Sequence, residues 1–212
     1  MSVTEPSGPN ARASSMLSRV KNLLLTPGAE WDRIAAEPAT IRSLYTGWVL
    51  WLAAIPALAG AVGMLIFARA TFTTWGTFVQ RVPLSQVVAS AVASYVVSLL
   101  SVAALALFTE QVASNFGARK DRIASFKLAA YSLTAAWVAG VVFVLPNLRS
   151  LGQILGLYSA FLLYVGVPRL LGGDPDKRLT FTIVIIAAFI VIGLIATTLV
   201  STFGGFGGLR LG

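Results

Sequence analysis

Ser90, Ser94 and Ser98 recur at four-residue intervals inside a stretch without charge, so on a helix their hydroxyls stack along one face, with Ser101 about a turn further on. Hydroxyls placed this way could act as nucleophiles beside a base, line a polar path, or hydrogen-bond to a neighbouring helix. The base is missing. The chain holds no histidine and no cysteine, which removes Ser-His and Cys-His dyads, thiolate or imidazole metal sites, and disulfides from its repertoire. Lys127 directly precedes an uncharged run, and its place at the end predicts snorkelling to lipid headgroups rather than service as a buried amine base. An aspartyl mechanism needs paired carboxylates within a span, whereas Glu110, Asp174 and Asp176 flank the apolar runs. No catalytic, cofactor-binding or metal-ligating residue is therefore expected, and the chain is read as a non-enzyme.

Five stretches must position these groups. Ser43 to Ala68, Val82 to Thr109, Leu128 to Leu148, Ser150 to Pro168 and Leu179 to Leu209 carry no charged side chain, and each is about as long as the ~20 residues a helix needs to cross a bilayer. With 57% hydrophobic and 11% charged residues, the composition lies far from that of soluble domains. The expected fold class is all-α: a polytopic membrane bundle of five transmembrane helices with one or two short N-terminal interfacial helices.

Charge placement orients the bundle. A net charge of +8 could suggest nucleic acid, but the sixteen basic residues are spread over the span ends, not gathered in one patch. Twelve of them, with all eight acidic residues, fall in the segment before the first span, the connector around Arg119 to Lys127 and the connector around Lys177. The positive-inside rule places those segments and the N-terminus in the cytoplasm and the C-terminus outside.

Residues 1–13 are read as a disordered tail, rich in Ser, Pro and small residues. Residues 14–42 form the interfacial unit. Met16, Leu17, Val20 and Leu24 recur at helical spacing; Thr26 can cap a second helix that opens at Pro27, and Trp31 and Ile34 share its apolar side. Both helices are expected in the inner interface with Trp31 at headgroup depth; packing against the bundle is the competing reading. Residues 43–202 form the five-span domain. Trp48 and Trp51 are expected to anchor the first span at the inner surface, and Pro56, Gly60 and Gly63 permit a kink or close approach.

The outer connector, Arg69 to Pro83 with Phe72, Trp75 and Phe78, is expected on the outer leaflet. In the third span Ser132, Ala136 and Gly140 align, and Pro146-Asn147 turns the chain into the fourth, where Gly152 and Gly156 form a GxxxG pattern beside Tyr158. The fifth span, dense in Ile, Val and Phe, is expected toward lipid. Residues 203–212 form a Gly-rich flexible tail.

The order of certain short motifs adds a further clue. A Leu-rich helix ending in Thr26-Pro27, then Glu30-Trp31-Asp32-Arg33-Ile34, then spans carrying Phe116-Gly117, Ala129-Ala130-Tyr131-Ser132 and Gly156-Leu157-Tyr158, resembles the bacterial branch of the Yip1 family over Met16 to Val200. The resemblance implies five spans, a cytoplasmic N-terminus, an outer C-terminus and no known catalytic activity. Eukaryotic relatives act in early secretory traffic and bind Rab GTPases. Their Asp-Leu-Tyr-Gly-Pro signature is absent here, and a bacterial membrane contains no Rab, so the architecture carries over and the role does not.

The expected function is a membrane-organising or partner-recruiting scaffold of the bacterial inner membrane. The alternative is a transporter, channel or lipid-moving protein with a cavity between spans two, three and four, lined by Ser90, Ser94, Ser98, Tyr95, Gln153, Tyr158 and Tyr164. Expected partners are the bilayer, anionic lipid at the cytoplasmic face, a membrane or cytoplasmic protein, or a second copy of the chain; nucleic acid and cofactors are not.

Overall fold

The computed structural model describes residues 9–203 apart from 68, 74–75 and 81, with side chains outside the description at 9–14, 69–73, 76–80, 146, 149 and 203. Its described body is helical. Five helical segments are long and apolar enough to cross a membrane: Ile41–Ile66, Leu84–Phe116, Arg122–Val144, Ser150–Leu170 and Arg178–Thr202.

Two short helices precede the spans. The first, α1 (Pro9–Leu25), begins earlier than the expected Ser14; proline suits a helix start because it lacks the N–H that would go unpaired there, and the two alanines that follow favour continuation. Residues 1–8, the rest of the expected tail, lie outside the described residues. The second, α2 (Pro27–Ala36), follows directly. The Thr26 hydroxyl makes no cap to α2; it donates backwards to the Asn22 carbonyl at 3.2 Å, so it closes α1 instead.

The first span comprises α3 (Ile41–Leu44), a π-helical turn (Tyr45–Val49) and α4 (Leu50–Ile66). A capping box opens it: Thr40 Oγ1 accepts from the Ser43 amide and Ser43 Oγ from the Thr40 amide. A two-stranded antiparallel hairpin follows, β1 (Arg69–Thr73) against β2 (Gly76–Gln80), with Arg69 opposite Gln80 and Thr73 opposite Gly76. The sequence reading assigned no strands to this connector, and its placement of Phe72, Trp75 and Phe78 falls on side chains outside the described residues. The second span is α5 (Leu84–Ala113) and a 3₁₀ turn, Ser114–Phe116.

The third and fourth spans are broken. The third runs as α6 (Arg122–Ser132), a break at Leu133, α7 (Thr134–Ala139) and a 3₁₀ turn, Gly140–Val144. The fourth runs as α8 (Arg149–Gly156), a break at Leu157, and α9 (Tyr158–Leu170). The fifth is α10 (Arg178–Phe203).

Burial ranks the spans. Every residue from Ala124 to Ala135 is buried, so the third span is the most enclosed, packed among the first, second and fourth, while the fifth packs on the second and fourth. The alanines and serines of the third span allow its neighbours to approach closely. The fifth span is the least enclosed: within it Phe181, Thr182 and Ile185 are buried, while Leu179, Ile183, Ile190, Leu194 and Ile195 are exposed. An apolar surface of that extent requires a lipid or protein cover.

The even-numbered connectors meet at one end. The Arg119 amide donates to the Leu171 carbonyl and the Asp174 amide to the Phe116 carbonyl, at 3.0 and 3.2 Å. Gly117, at φ +66°, faces Asp174 closely, so the tight turn needs glycine both for its left-handed backbone and for space. This is also the end that carries α1 and α2; it is called the basic end below.

Candidate functional site

Two sets of polar contacts organise the bundle: a hub on the broken third span, and a clasp that fixes the N-terminal helices to the basic end.

The hub lies around Leu133. An interrupted helix leaves amides at the start of its new segment without intrahelical partners, and inside a membrane neighbouring helices must supply them. The Ala136 amide donates to Ser159 Oγ, at the start of α9, at 3.1 Å. The breaks of the third and fourth spans thus meet and complete one another. Thr134 Oγ1 accepts from Trp48 Nε1 of the first span at 3.0 Å, and Trp137 Nε1 donates to Ser98 Oγ of the second at 2.8 Å. One short segment of the third span therefore hydrogen-bonds to the first, second and fourth. Two further tyrosines tie the first span to the second: Tyr45 donates to the Leu99 carbonyl and Tyr95 to the Leu50 carbonyl.

Of the residues singled out for packing or a cavity, Tyr95, Ser98, Ala136 and Tyr158 make inter-element hydrogen bonds. Ser90 is buried and Ser94 half-buried. Ser132 is fully buried, and its hydroxyl has no partner among the described residues. Gly140 lies against Pro56 of α4, where an added Cβ would come within 2.5 Å of the proline ring. Gly152 faces the Phe143 ring at 2.6 Å from such a Cβ, whereas Gly156 meets Ala136 at an ordinary 3.6 Å.

The clasp begins with Lys127. Its Nζ donates to the Ile34 carbonyl at 2.7 Å and also to the Glu37 carbonyl. An ammonium thus satisfies carbonyls at the C-terminal end of α2, where a cation is favoured by the helix dipole. The expected snorkelling of Lys127 is corrected: the residue is 6% exposed and turned into the protein. Trp31 likewise does not present its ring to the headgroups. It is completely enclosed, edge-on to Tyr131 with ring centroids 6.4 Å apart and pressed against Gly166. Ile34 is buried beside it. An interfacial tryptophan needs a wet edge, and α2 spends this face on the bundle instead.

The two helices are joined by charge. The buried Glu30 carboxylate accepts from Asn22 Nδ2 at 3.1 Å and lies 3.7 Å from Arg19 Nε, while Arg19 Nη2 reaches Glu37 at 2.6 Å. Burial works against the Arg19 charge, but the Glu37 hydrogen bond and the fields of Tyr131, Glu37 and Glu30 outweigh it and raise its pKa. The Arg19 guanidinium also lies 5.7 Å from the Tyr131 ring centroid, and Tyr158 donates to the Leu24 carbonyl at 2.9 Å. Of the other positions proposed for interfacial contact, Leu17 remains exposed, and Met16, Val20 and Leu24 are half-buried.

Trp48 differs in the same way from its expected role, being 4% exposed at the hub, while Trp51 is 69% exposed with its indole N–H on the Thr46 carbonyl. Glu110 sits at a span end and pairs with Arg122 at 3.0 Å, as a helix-end carboxylate should. Sequence reasoning missed Lys127, Thr134, Trp137 and Ser159 as tertiary contacts. The signal available was the presence of polar or amphipathic groups within apolar runs, which does not name a partner.

The comparisons with known proteins agree with this architecture. A family model described as Yip1 domain matches residues 21–200. The chain is similar to the inner membrane protein YohC of Escherichia coli strain K12 and to the protein of the same name from Escherichia coli O6:H1, each 27% identical over 198 residues that cover 90% of this chain and 98% of the relative. No solved structure gives a significant match. A helical five-span body and a family match that runs from α1 to the end of the last span lead to one conclusion: the chain belongs to the Yip1 family of integral membrane proteins.

Proposed function

We propose that this protein is a non-enzymatic scaffold of the bacterial inner membrane, which holds a rigid platform at its basic end to gather a protein partner and anionic lipid. The supporting observation is the clasp: Lys127, Glu30, Arg19 and Tyr158 fix α1 and α2 to the spans, yet Leu17 and Leu25 stay 69% and 68% exposed on the outer face of α1. A helix that is anchored on one side and presents exposed leucines around a cation, Lys21, on the other is suited to contact a second surface. The name of the Escherichia coli relatives supports the inner membrane. Charge asymmetry supports a cytoplasmic basic end and an external C-terminus.

Photo-crosslinking from positions 17 and 25 in native membranes tests this reading. The expected result is a discrete protein adduct absent when the crosslinker sits at position 194 on the exposed face of α10; identical patterns at all three positions overturn it.

One observation favours a transport reading instead. Two spans are interrupted, and their breaks meet at Ala136 and Ser159, a feature shared with transporters, whose binding sites form at unwound helices. Against it, the freed amide and the indole N–H groups are already occupied within the bundle. Solute flux or lipid scrambling in proteoliposomes of the purified protein would make transport the better reading; the scaffold reading expects neither.

A further inference from the structure

Where α9 ends and α10 begins, the basic end opens into a cleft of about 380 Å³. Val165, Pro168 and Leu179 give it apolar walls, Tyr164 stands at its edge, and Arg169 and Arg178 supply two guanidinium groups. Tyr164 and Leu179 are exposed on the outside of the bundle, so the cleft faces whatever surrounds the spans. The two cations are not equivalent. Arg169 Nε pairs with Asp32 of α2 at 3.2 Å, and its Nη1 donates to the Val165 carbonyl. Arg178 has no carboxylate within ion-pair distance among the described residues. The nearby acidic residues are turned elsewhere or outward: Asp174 packs on the Gly117 turn and accepts from the Asp176 amide, and Asp176 is exposed.

We propose that this cleft is a binding site for an anionic phospholipid, with the phosphate and glycerol of the headgroup between Arg178 and Arg169 and the start of one acyl chain along Leu179, Val165 and Pro168. The chemistry of the walls selects that occupant. A soluble anion would use the guanidinium groups but leave the apolar walls wet, and a zwitterionic lipid would use the walls and the guanidinium groups but bring its own ammonium beside Arg178 and Arg169, which share the single carboxylate of Asp32. The volume lies within the range of small-molecule sites. Because Arg169 also holds Asp32, a bound lipid would link α2, α9 and α10. The inference deepens the lipid half of the scaffold reading and rests on it for the depth of the cleft. A protein adduct missing in crosslinking would sink partner recruitment and leave the lipid site standing.

The test uses the purified full chain in nanodiscs of phosphatidylcholine containing either spin-labelled phosphatidylglycerol or spin-labelled phosphatidylcholine, with the motionally restricted fraction as readout. The wild type is expected to restrict phosphatidylglycerol preferentially. Arg178→Gln should lower that preference roughly fivefold, the effect of one cation at an anionic surface. Leu179→Trp, which fills the cleft without changing charge, should lower it as well, and Lys177→Gln, the same charge change beside the cleft, should leave it intact. Inorganic phosphate should not displace the lipid. Equal restriction of the two lipids by the wild type overturns the proposal, as does a loss in Lys177→Gln equal to that in Arg178→Gln, an unaffected Leu179→Trp, or displacement by phosphate.

Discussion

The ammonium of Lys127, buried on the third span, donates to the Ile34 and Glu37 carbonyls at the end of α2. A residue at the edge of an apolar run thus acts as the C-terminal cap of a helix far away in sequence. Replacing it with methionine would keep most of its length and apolar stem while removing every donor, so the carbonyls would lose a charged partner worth about 1.5–3 kcal/mol. Lys127→Met should release α2. The chain contains no cysteine, so a single Ile34→Cys reports cleanly: thiol labelling is expected to be slow in an otherwise wild-type background and much faster with Lys127→Met. Equal rates would show that α2 is held by packing alone.

Two buried serines should respond in opposite ways. Ser159 Oγ accepts the Ala136 amide freed by the break in the third span, whereas the Ser132 hydroxyl has no partner among the described residues. Ser159→Ala should cost about 1 kcal/mol, because it leaves a buried donor unpaired, while Ser132→Ala should be neutral or stabilising, because it removes an uncompensated polar group. Thermal melting in detergent checks both; a lower melting temperature for Ser132→Ala than for Ser159→Ala would contradict the assignment.

Glycine positions should divide by available space. At Gly140 a methyl group would collide with Pro56, and at Gly156 it would meet Ala136 at ordinary contact distance. Gly140→Ala is expected to destabilise by about 1–3 kcal/mol through overpacking. Gly156→Ala should be nearly neutral. Similar melting curves for the two variants would mean that α4 and the third span are not packed as described.

The hydrogen bond from Trp48 to Thr134 joins the first span to the hub. Thr134→Val keeps the branched shape and removes the acceptor, and membrane hydrogen bonds of this kind average about 0.6 kcal/mol, with a maximum near 1.7. A modest fall in melting temperature is expected, accompanied by a change in tryptophan fluorescence. The same substitution paired with Trp48→Phe should add little, since either change breaks the one bond.

Residue type and span length made the five crossings legible, since an uncharged run of bilayer length carries its own evidence. The observed spans keep the order of the expected ones, with ends shifted by up to seven residues; polar turns carry the second span on to Phe116 and start the third at Arg122. The hairpin between Gly140 and Gly152 was legible from Pro146-Asn147 for the same local reason. The helix breaks were not: Leu133 and Leu157 belong to ordinary helix-forming leucine, and the amide freed at the first break finds its partner, Ser159, on another span.

By itself, then, the sequence determined that this chain crosses a membrane five times, which polar groups it can use, and which end of the bundle is basic, because hydropathy, inventory and charge are summed along the chain. Only the tertiary structure decided that the third span is the most enclosed, that Trp31 and Trp48 face protein while Trp51 stays outside, and that Lys127 caps α2. The physical reason is that an amphipathic side chain states its needs, a wet edge or a hydrogen-bond partner, without stating whether lipid headgroups or another helix will meet them. That choice is made by packing between residues distant in sequence.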